Sequence, residues 1–296
     1  MSGTTKEEIR HTIGAQGSLV LHDVSGSVRL RGTDGDEARV VAQPSSGDRM
    51  PQLVVRKSEG ALHIEPEQRV LNLPGASFSR KAAIDFEVEL PRAARLEVNT
   101  VSADVDAAGL VGDQRYRTVS GDVELERSGG RISLTTVSGD VKLTASDALE
   151  LDATTTSGDL ELEAGVLALV RIRSVSGDAR LKGAFRAGPN HGMETVSGDL
   201  RLESETGLTV ETSRALEVSH GRRIVVGDGA ALFRFRSMSG DVRVARGSEM
   251  QDQPAPAEPP DASQGPDSLE ILRALEAGEI DVEEATRRLE EVAPHA

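Results

Sequence analysis

Thr118-Val119-Ser120-Gly121-Asp122-Val123 returns as Thr136-Val137-Ser138-Gly139-Asp140-Val141, and the reading of this phrase decides the fold. Looser copies run from Thr155 to Leu160, Ser174 to Ala179, Thr195 to Leu200 and Ser237 to Val242. From serine to serine (Ser102, Ser120, Ser138, Ser157, Ser176, Ser197, Ser239) the spacings are 18, 18, 19, 19, 21 and 42 residues. Near the middle of the longest spacing, Val218-Ser219-His220-Gly221 reads as a decayed copy. A period near 20 marks a stacked repeat, in which each unit buries its apolar face only against its neighbours.

The phrase contains a change of parity. Counting back from Ser138, the second, fourth and sixth residues are Thr136, Leu134 and Ile132; from Ser102 they are Thr100, Val98 and Leu96; from Ser239, Ser237, Phe235 and Phe233. Counting forward, the third and fifth are apolar: Val123 and Leu125, Val141 and Leu143, Leu160 and Leu162, Leu200 and Leu202, Val242 and Val244. An uninterrupted strand keeps one parity, because its side chains alternate faces. The backbone must therefore turn at Ser120-Gly121-Asp122, Ser138-Gly139-Asp140, Ser157-Gly158-Asp159, Ser176-Gly177-Asp178, Ser197-Gly198-Asp199 and Ser239-Gly240-Asp241. Gly permits a conformation that a Cβ penalises, and Asp can bond nearby backbone N–H groups. Strand, corner, strand and return turn fill one period, and coils stacked about 4.8 Å apart bury a continuous stripe. The expected fold is all-β: a right-handed parallel β-solenoid, or β-helix, with coils of about 19 residues and a small C-terminal α-helical hairpin. A propeller would need about 40 residues per blade and alternating kinds of turn. Outward positions agree with the stacking. Glu124, Lys142, Glu161 and Arg180 alternate in sign on successive rungs, worth roughly 0.2–1 kcal/mol per opposite pair; Arg201 breaks the alternation.

Along the chain, residues 1–17 read as a flexible arm and 18–93 as the irregular, strand-rich start of the solenoid, with a small sandwich as the alternative. Strands are expected at Arg39 to Ala42, Leu53 to Val55, Ala61 to Ile64 and Ala83 to Leu90, a corner at Ser46-Gly47-Asp48, and a surface loop from Leu71 to Ala82. Residues 94–246 are the regular repeats, and 247–266 a Pro-rich acidic linker. At 267–293, Leu269, Leu272, Leu275 and Ile280, then Val282, Ala285, Leu289 and Val292, fall at helical spacing around Gly278. Asp267 with Glu270 and Asp281 with Glu284 suit capping boxes. Two helices of that length form too small a core to stand alone. Leu269, Leu272, Leu275, Ile280, Leu289 and Val292 are therefore the expected partner-binding or self-association residues.

Composition excludes much chemistry. The 296 residues include no Cys or Trp and a single Tyr, with aromatics at 2%. Disulfides, thiolate metal sites and the ring platforms used for sugars or single-stranded nucleic acid are thus ruled out or starved. The net charge is −15, concentrated toward the end: 13 acidic and 3 basic side chains follow from Glu249 onward. That balance argues against nucleic acid. The first 20 residues carry Lys6, Glu7, Glu8, Arg10 and His11 with no signal-peptide core, and no later window approaches a membrane span. The expectation is a cytoplasmic protein without direct membrane insertion.

The repeated polar residues read as architecture. In stacked coils, Asp104, Asp122, Asp140, Asp159, Asp178, Asp199 and Asp241 form a ladder. The expected role of each is to cap the backbone of its own corner. Calcium between coils is the weaker alternative, since one carboxylate per coil is thin for an ion taking six to eight oxygens. The serines recur without a neighbouring histidine, and a nucleophile needs a base within reach. No catalytic, cofactor or metal residue is assigned, and an enzyme is not expected.

Ala83 to Asp241 resembles the bacterial candidate-adhesin family of β-strand repeat proteins, a domain of unknown function. The resemblance rests on Phe86-Glu87-Val88-Glu89-Leu90-Pro91, Leu96-Glu97-Val98 and the serial Thr-Val-Ser-Gly-Asp-Val phrases. Leu272, Leu275, Gly278, Ile280 and Glu283-Glu284-Ala285 look like a SHOCT-like helical hairpin. That second resemblance implies oligomerisation or partner binding, and the two together imply a link with envelope-stress responses. The expected function is a non-catalytic scaffold, with a stress regulator acting through a membrane partner, or a surface adhesin or carbohydrate binder, as alternatives.

Overall fold

The computed structural model describes residues 6–23, 25–45, 51–67, 83–214 and 222–246. Among them the chain forms 21 strands and no helix. The opening comprises β1 (Glu7–Thr12), β2 (Ser18–His22), β3 (Ser25–Thr33), β4 (Glu37–Pro44), β5 (Leu53–Ser58), β6 (Ala61–Pro66) and β7 (Ile84–Pro91). The regular part comprises β8 (Arg95–Asn99), β9 (Ser102–Ala108), β10 (Gln114–Thr118), β11 (Val123–Glu126), β12 (Gly130–Thr136), β13 (Val141–Thr154), β14 (Leu160–Arg173), β15 (Ala179–Phe185), β16 (Asn190–Ser197) and β17 (Leu200–Ser204). Four strands end it: β18 (Leu208–Arg214), β19 (Arg222–Val226), β20 (Ala231–Ser239) and β21 (Val242–Arg246).

The strands form two parallel ladders. In the regular coils the strands that precede a corner lie in the first, ordered β6, β2, β8, β10, β12, the second half of β13, the second half of β14, β16, β20, β18. Those that follow a corner lie in the second, ordered β7, β3, β9, β11, the first halves of β13 and β14, β15, β17, β21. β13 and β14 belong to both because they pass the return bend unbroken, with register shifts between Ala145 and Ala148 and between Ala164 and Val166. The fold is all-β and solenoid-like.

Register stacks like on like. Val105, Val123, Val141, Leu160, Ala179 and Leu200 share one inward column, and Ala107, Leu125, Leu143, Leu162, Leu181 and Leu202 the next. Val98, Tyr116, Leu134, Ala153, Ile172, Met193 and Phe235 face them from the first ladder, and both sets feed one core. Each fully buried Leu or Val contributes roughly 1.5–3 kcal/mol. The single tyrosine is buried with its hydroxyl donating to Gln114 Oε1 at 2.9 Å, and Gln114 Nε2 donates to the Gly129 carbonyl at 3.0 Å. Burial pushes the Tyr116 phenol up, so it stays a neutral donor.

Two expectations need correction. Residues 1–17 are not a loose arm throughout, because β1 pairs antiparallel with β4, placing Ile9 and Ile13 in the core. Glu8 ties it to Arg39 at 2.7 Å. With Ile9 and Ile13 the only branched aliphatics in residues 1–17, no periodic signal could show the strand. The 42-residue spacing is also not two successive coils. Ser197 pairs directly with Ser239, and Leu200 with Val242. Between them in sequence, β18 joins β20 in parallel on the side away from β16, and β19 folds back antiparallel on β18. Val218 to Gly221, Ser46 to Asp48 and Leu71 to Ala82 lie outside the described residues. β2 and β3 show the same interleaving at the other end, sitting between β6 and β8 and between β7 and β9. Antiparallel β5 and β4 flank β6 and β7 there. Reversed strands of this kind discourage further parallel addition at a sheet edge.

The Ser-Gly-Asp corners turn through a glycine of positive φ, and stacking adds a second demand. Gly139 has φ 124°, and a Cβ built on it would overlap the carbonyl oxygen of Gly121 in the preceding coil. Gly188 has φ 100° with open space around it. Gly188→Ala should therefore cost about 1 kcal/mol for backbone conformation alone, and Gly139→Ala about 3 kcal/mol or more. Urea melts of the two variants should separate the terms; equal losses would mean that coil contact at Gly139 is unimportant.

Candidate functional site: the corner edge and its flanking columns

The corners line up along one edge of the repeat, and each position of the phrase has a separate task. The Thr hydroxyl is buried and donates to the Ser carbonyl two residues on: Thr118 to Ser120 at 2.9 Å, Thr136 to Ser138 at 3.2 Å, Thr155 to Ser157 at 3.0 Å and Thr195 to Ser197 at 3.1 Å. Ser174 does the same for Ser176 at 2.9 Å. The Ser N–H donates to the preceding coil: Ser120 to the Val101 carbonyl at 2.8 Å and Ser138 to the Val119 carbonyl at 2.9 Å.

The Asp carboxylates do not cap their own corners as expected. Each accepts from the backbone N–H of the Asp in the next coil. Asp122 donates to Asp104 Oδ1 at 3.1 Å, Asp140 to Asp122 at 2.9 Å, Asp159 to Asp140 at 2.9 Å and Asp178 to Asp159 at 2.9 Å. Asp199 donates to Asp178 and Asp241 to Asp199, both at 2.8 Å. The reason is geometric. The corner N–H finds no backbone acceptor at this rung, and a short carboxylate in the adjacent coil takes its place, at the Ala103 corner as at the Gly corners. Like charges about 5 Å apart cost on the order of 1 kcal/mol in water, and these carboxylates are exposed. A hydrogen bond to a charged acceptor contributes roughly 1.5–3 kcal/mol and offsets that repulsion. Among the described residues no group of three or more His, Cys, Asp or Glu is arranged to hold a metal.

Beside the Asp column runs an apolar one. Val101, Val119, Val137, Val175, Val196 and Met238 are each 45–49% exposed, one per coil, with Thr156 in the remaining place. Each follows an inward residue on a strand and therefore points out, a signal present in the sequence although the phrase reads first as a corner. On the other side an open trough of about 650 Å3 separates the Asp column from Glu124, Lys142, Glu161, Arg180, Arg201 and Arg243. Those six share register, with Lys142 to Glu124 at 3.7 Å and Arg180 to Glu161 at 3.8 Å. Arg201 is followed by Arg243, so the alternation gives way to an arginine run flanked by Asp178, Asp199 and Asp241.

The first ladder's outward face is interrupted at His191-Gly192. His191 turns into the core, where Nδ1 accepts from the Val170 N–H at 3.2 Å and Nε2 meets the Arg186 carbonyl at 2.9 Å. Burial pushes its pKa down, against the smaller raising effect of the Arg186 hydrogen bond. Gly192 leaves a notch of about 250 Å3 beside Arg171 and Arg234. The sequence offered no regular pattern here from which to expect it. Leu269, Leu272, Leu275, Ile280, Leu289 and Val292, the expected partner-binding residues, lie outside the described residues.

Asp140→Ala should cost about 1 kcal/mol, since water can partly replace the acceptor lost by Asp159. Asp140→Asn keeps the acceptor, relieves repulsion and should melt at or above wild type in low salt; a loss equal to that of alanine would refute the acceptor role. For His191 the folded pKa lies below the unfolded one, so the unfolded chain binds more protons in between and stability rises with pH there. Wild type should lose stability as pH falls below about 6.5, levelling off under the folded pKa. His191→Asn should lack that slope in chemical melts taken across the range.

A candidate adhesin from Bacteroides fragilis is similar at 9% identity, covering 82% of this chain and 98% of its own, with a TM-score of 0.33. A candidate lipid-binding protein from Parabacteroides distasonis is similar at 11% identity, covering 80% and 97%, with a TM-score of 0.33. A candidate cell adhesion protein from Clostridium sporogenes is similar at 10% identity, covering 82% and 100%, with a TM-score of 0.27. No curated protein matches the chain. The Toastrack DUF4097 family matches residues 16–220, well over half of the sequence, and the chain belongs to that family.

Proposed function

We propose that this chain is a non-catalytic interaction scaffold: a right-handed parallel solenoid whose corner edge meets other macromolecules and whose segment 267–293 self-associates or captures a protein partner. The observation that supports it most is the column Val101, Val119, Val137, Val175, Val196 and Met238, held half-exposed at one residue per coil. Soluble proteins seldom keep contiguous apolar surface in water without use for it. Catalysis calls for one poised nucleophile or acid–base pair, whereas the conspicuous polar groups here are near-equivalent from coil to coil and spent on one another. The apolar spacing at Leu269, Leu272, Leu275, Ile280, Leu289 and Val292 supports the second half of the reading.

Light scattering of the full chain against a chain ending at Gly247 tests it. The full chain is expected to be a concentration-dependent oligomer, or to retain a protein that the shorter, still folded chain does not. Two equally monomeric forms that retain the same proteins from lysate would overturn the role of 267–293. Unchanged retention in Val119→Glu/Val137→Glu would overturn the role of the edge.

A further inference from the structure

We propose that the outward face of the first ladder holds a site for a phosphate-type oxyanion, centred on Gly192. On this face one column of rungs runs Asp152, Arg171, Gly192, Arg234, Glu211. Gly192 contributes no side chain, so Arg171 and Arg234 border a gap two rung spacings wide, about 9.6 Å. The neighbouring column places Arg173 and Arg236 on either side of Glu194. The notch of about 250 Å3 lies between the four arginines. At ~30 Å3 per water that accommodates a tetrahedral oxyanion with part of its hydration shell.

The charges of the notch are not balanced from within. Arg236 reaches Glu194 at 3.5 Å, and Arg234 reaches Glu211 at 3.6 Å and Asn190 Oδ1 at 3.3 Å. Among the described residues the ion pairs at the notch are made by Arg234 and Arg236, and none within 4.0 Å by Arg171 or Arg173. Four guanidinium groups face three carboxylates even when Asp152 and Glu211 on the bounding rungs are counted, in a chain whose net charge is −15. An oxyanion over Gly192 would take one guanidinium fork from each side, the geometry in which arginine binds phosphate best. The arginine run at Arg180, Arg201 and Arg243 lacks the gap, having a full row of side chains, and Arg180 is paired with Glu161 at 3.8 Å. It serves as the internal control. The site is independent of residues 267–293 and of the valine column, so its failure would leave the scaffold reading intact.

The test is a titration of inorganic phosphate into the full chain at constant ionic strength, followed by calorimetry and thermal melting. Saturable binding and stabilisation are expected, with affinity falling roughly tenfold or more in Arg171→Gln/Arg234→Gln. Arg180→Gln/Arg201→Gln removes the same charge and should leave affinity within about twofold. Co-sedimentation with phosphatidylcholine vesicles, with and without phosphatidic acid, distinguishes the source of the phosphate. Vesicle capture abolished by the notch variant and competed by free phosphate identifies a lipid headgroup; phosphate saturation without capture identifies a free oxyanion. No saturable response in wild type, or equal losses in the two double variants, would overturn the proposal.

Discussion

A turn taken at the same place in every coil leaves the same backbone donor without a backbone acceptor, and the structure depends on how that donor is satisfied. The Asp140 N–H bonds the Asp122 carboxylate, and the Asp159 N–H bonds that of Asp140. Because the acceptor sits one coil back, the bond is also a measure of stacking: a coil displaced along the edge would lose it. Thr136 and its equivalents then close the corner from inside by binding the Ser carbonyl. The Asp carboxylate and the Ser N–H hold successive coils to one register, while the Thr hydroxyl fixes the corner of its own coil. That accounts for the repetition of the phrase without invoking chemistry at any single copy.

What remains outward is set by the same register. Columns one residue wide run along the edge: apolar at Val119 and Val137, acidic at Asp122 and Asp140, mixed at Glu124 and Lys142. A surface of this kind has little depth and strong direction, and it suits extended contacts better than enclosure of a small substrate. The notch at Gly192 is the departure from that rule on the first ladder, where a side chain is missing from a rung bordered by cations.

The regular half was legible because parity is a strict consequence of strand geometry. The even-to-odd switch between Thr118 and Val123 required a corner, and the buried pattern on either side follows it. The role of Asp was misplaced because sequence reports a local neighbour more readily than one 18 or 19 residues away. β1 escaped notice since Ile9 and Ile13 are too few to form a pattern, and their burial is decided by the partner strand β4. The 42-residue spacing misled for the opposite reason. Its regularity suggested two coils, whereas Ser197 and Ser239 are direct neighbours. Of the surfaces, the valine column followed from parity and the notch did not, since it depends on which rungs from distant segments come to flank Gly192.

The interleaved ends bear on how the chain reaches this state. β2 and β3 are lodged between strands contributed by residues 61–66 and 84–108, all made later. At the far end β20 settles between β16 and β18, which precede it in sequence. Neither terminus can be laid down by simple sequential winding. Among themselves the consecutive coils from β8 to β17 pair only with near neighbours in sequence and can order first. The outer strands must then close longer loops, which raises contact order and slows their arrival. The chain is thus expected to assemble from its middle outward, with its first strands waiting on residues synthesised well after them.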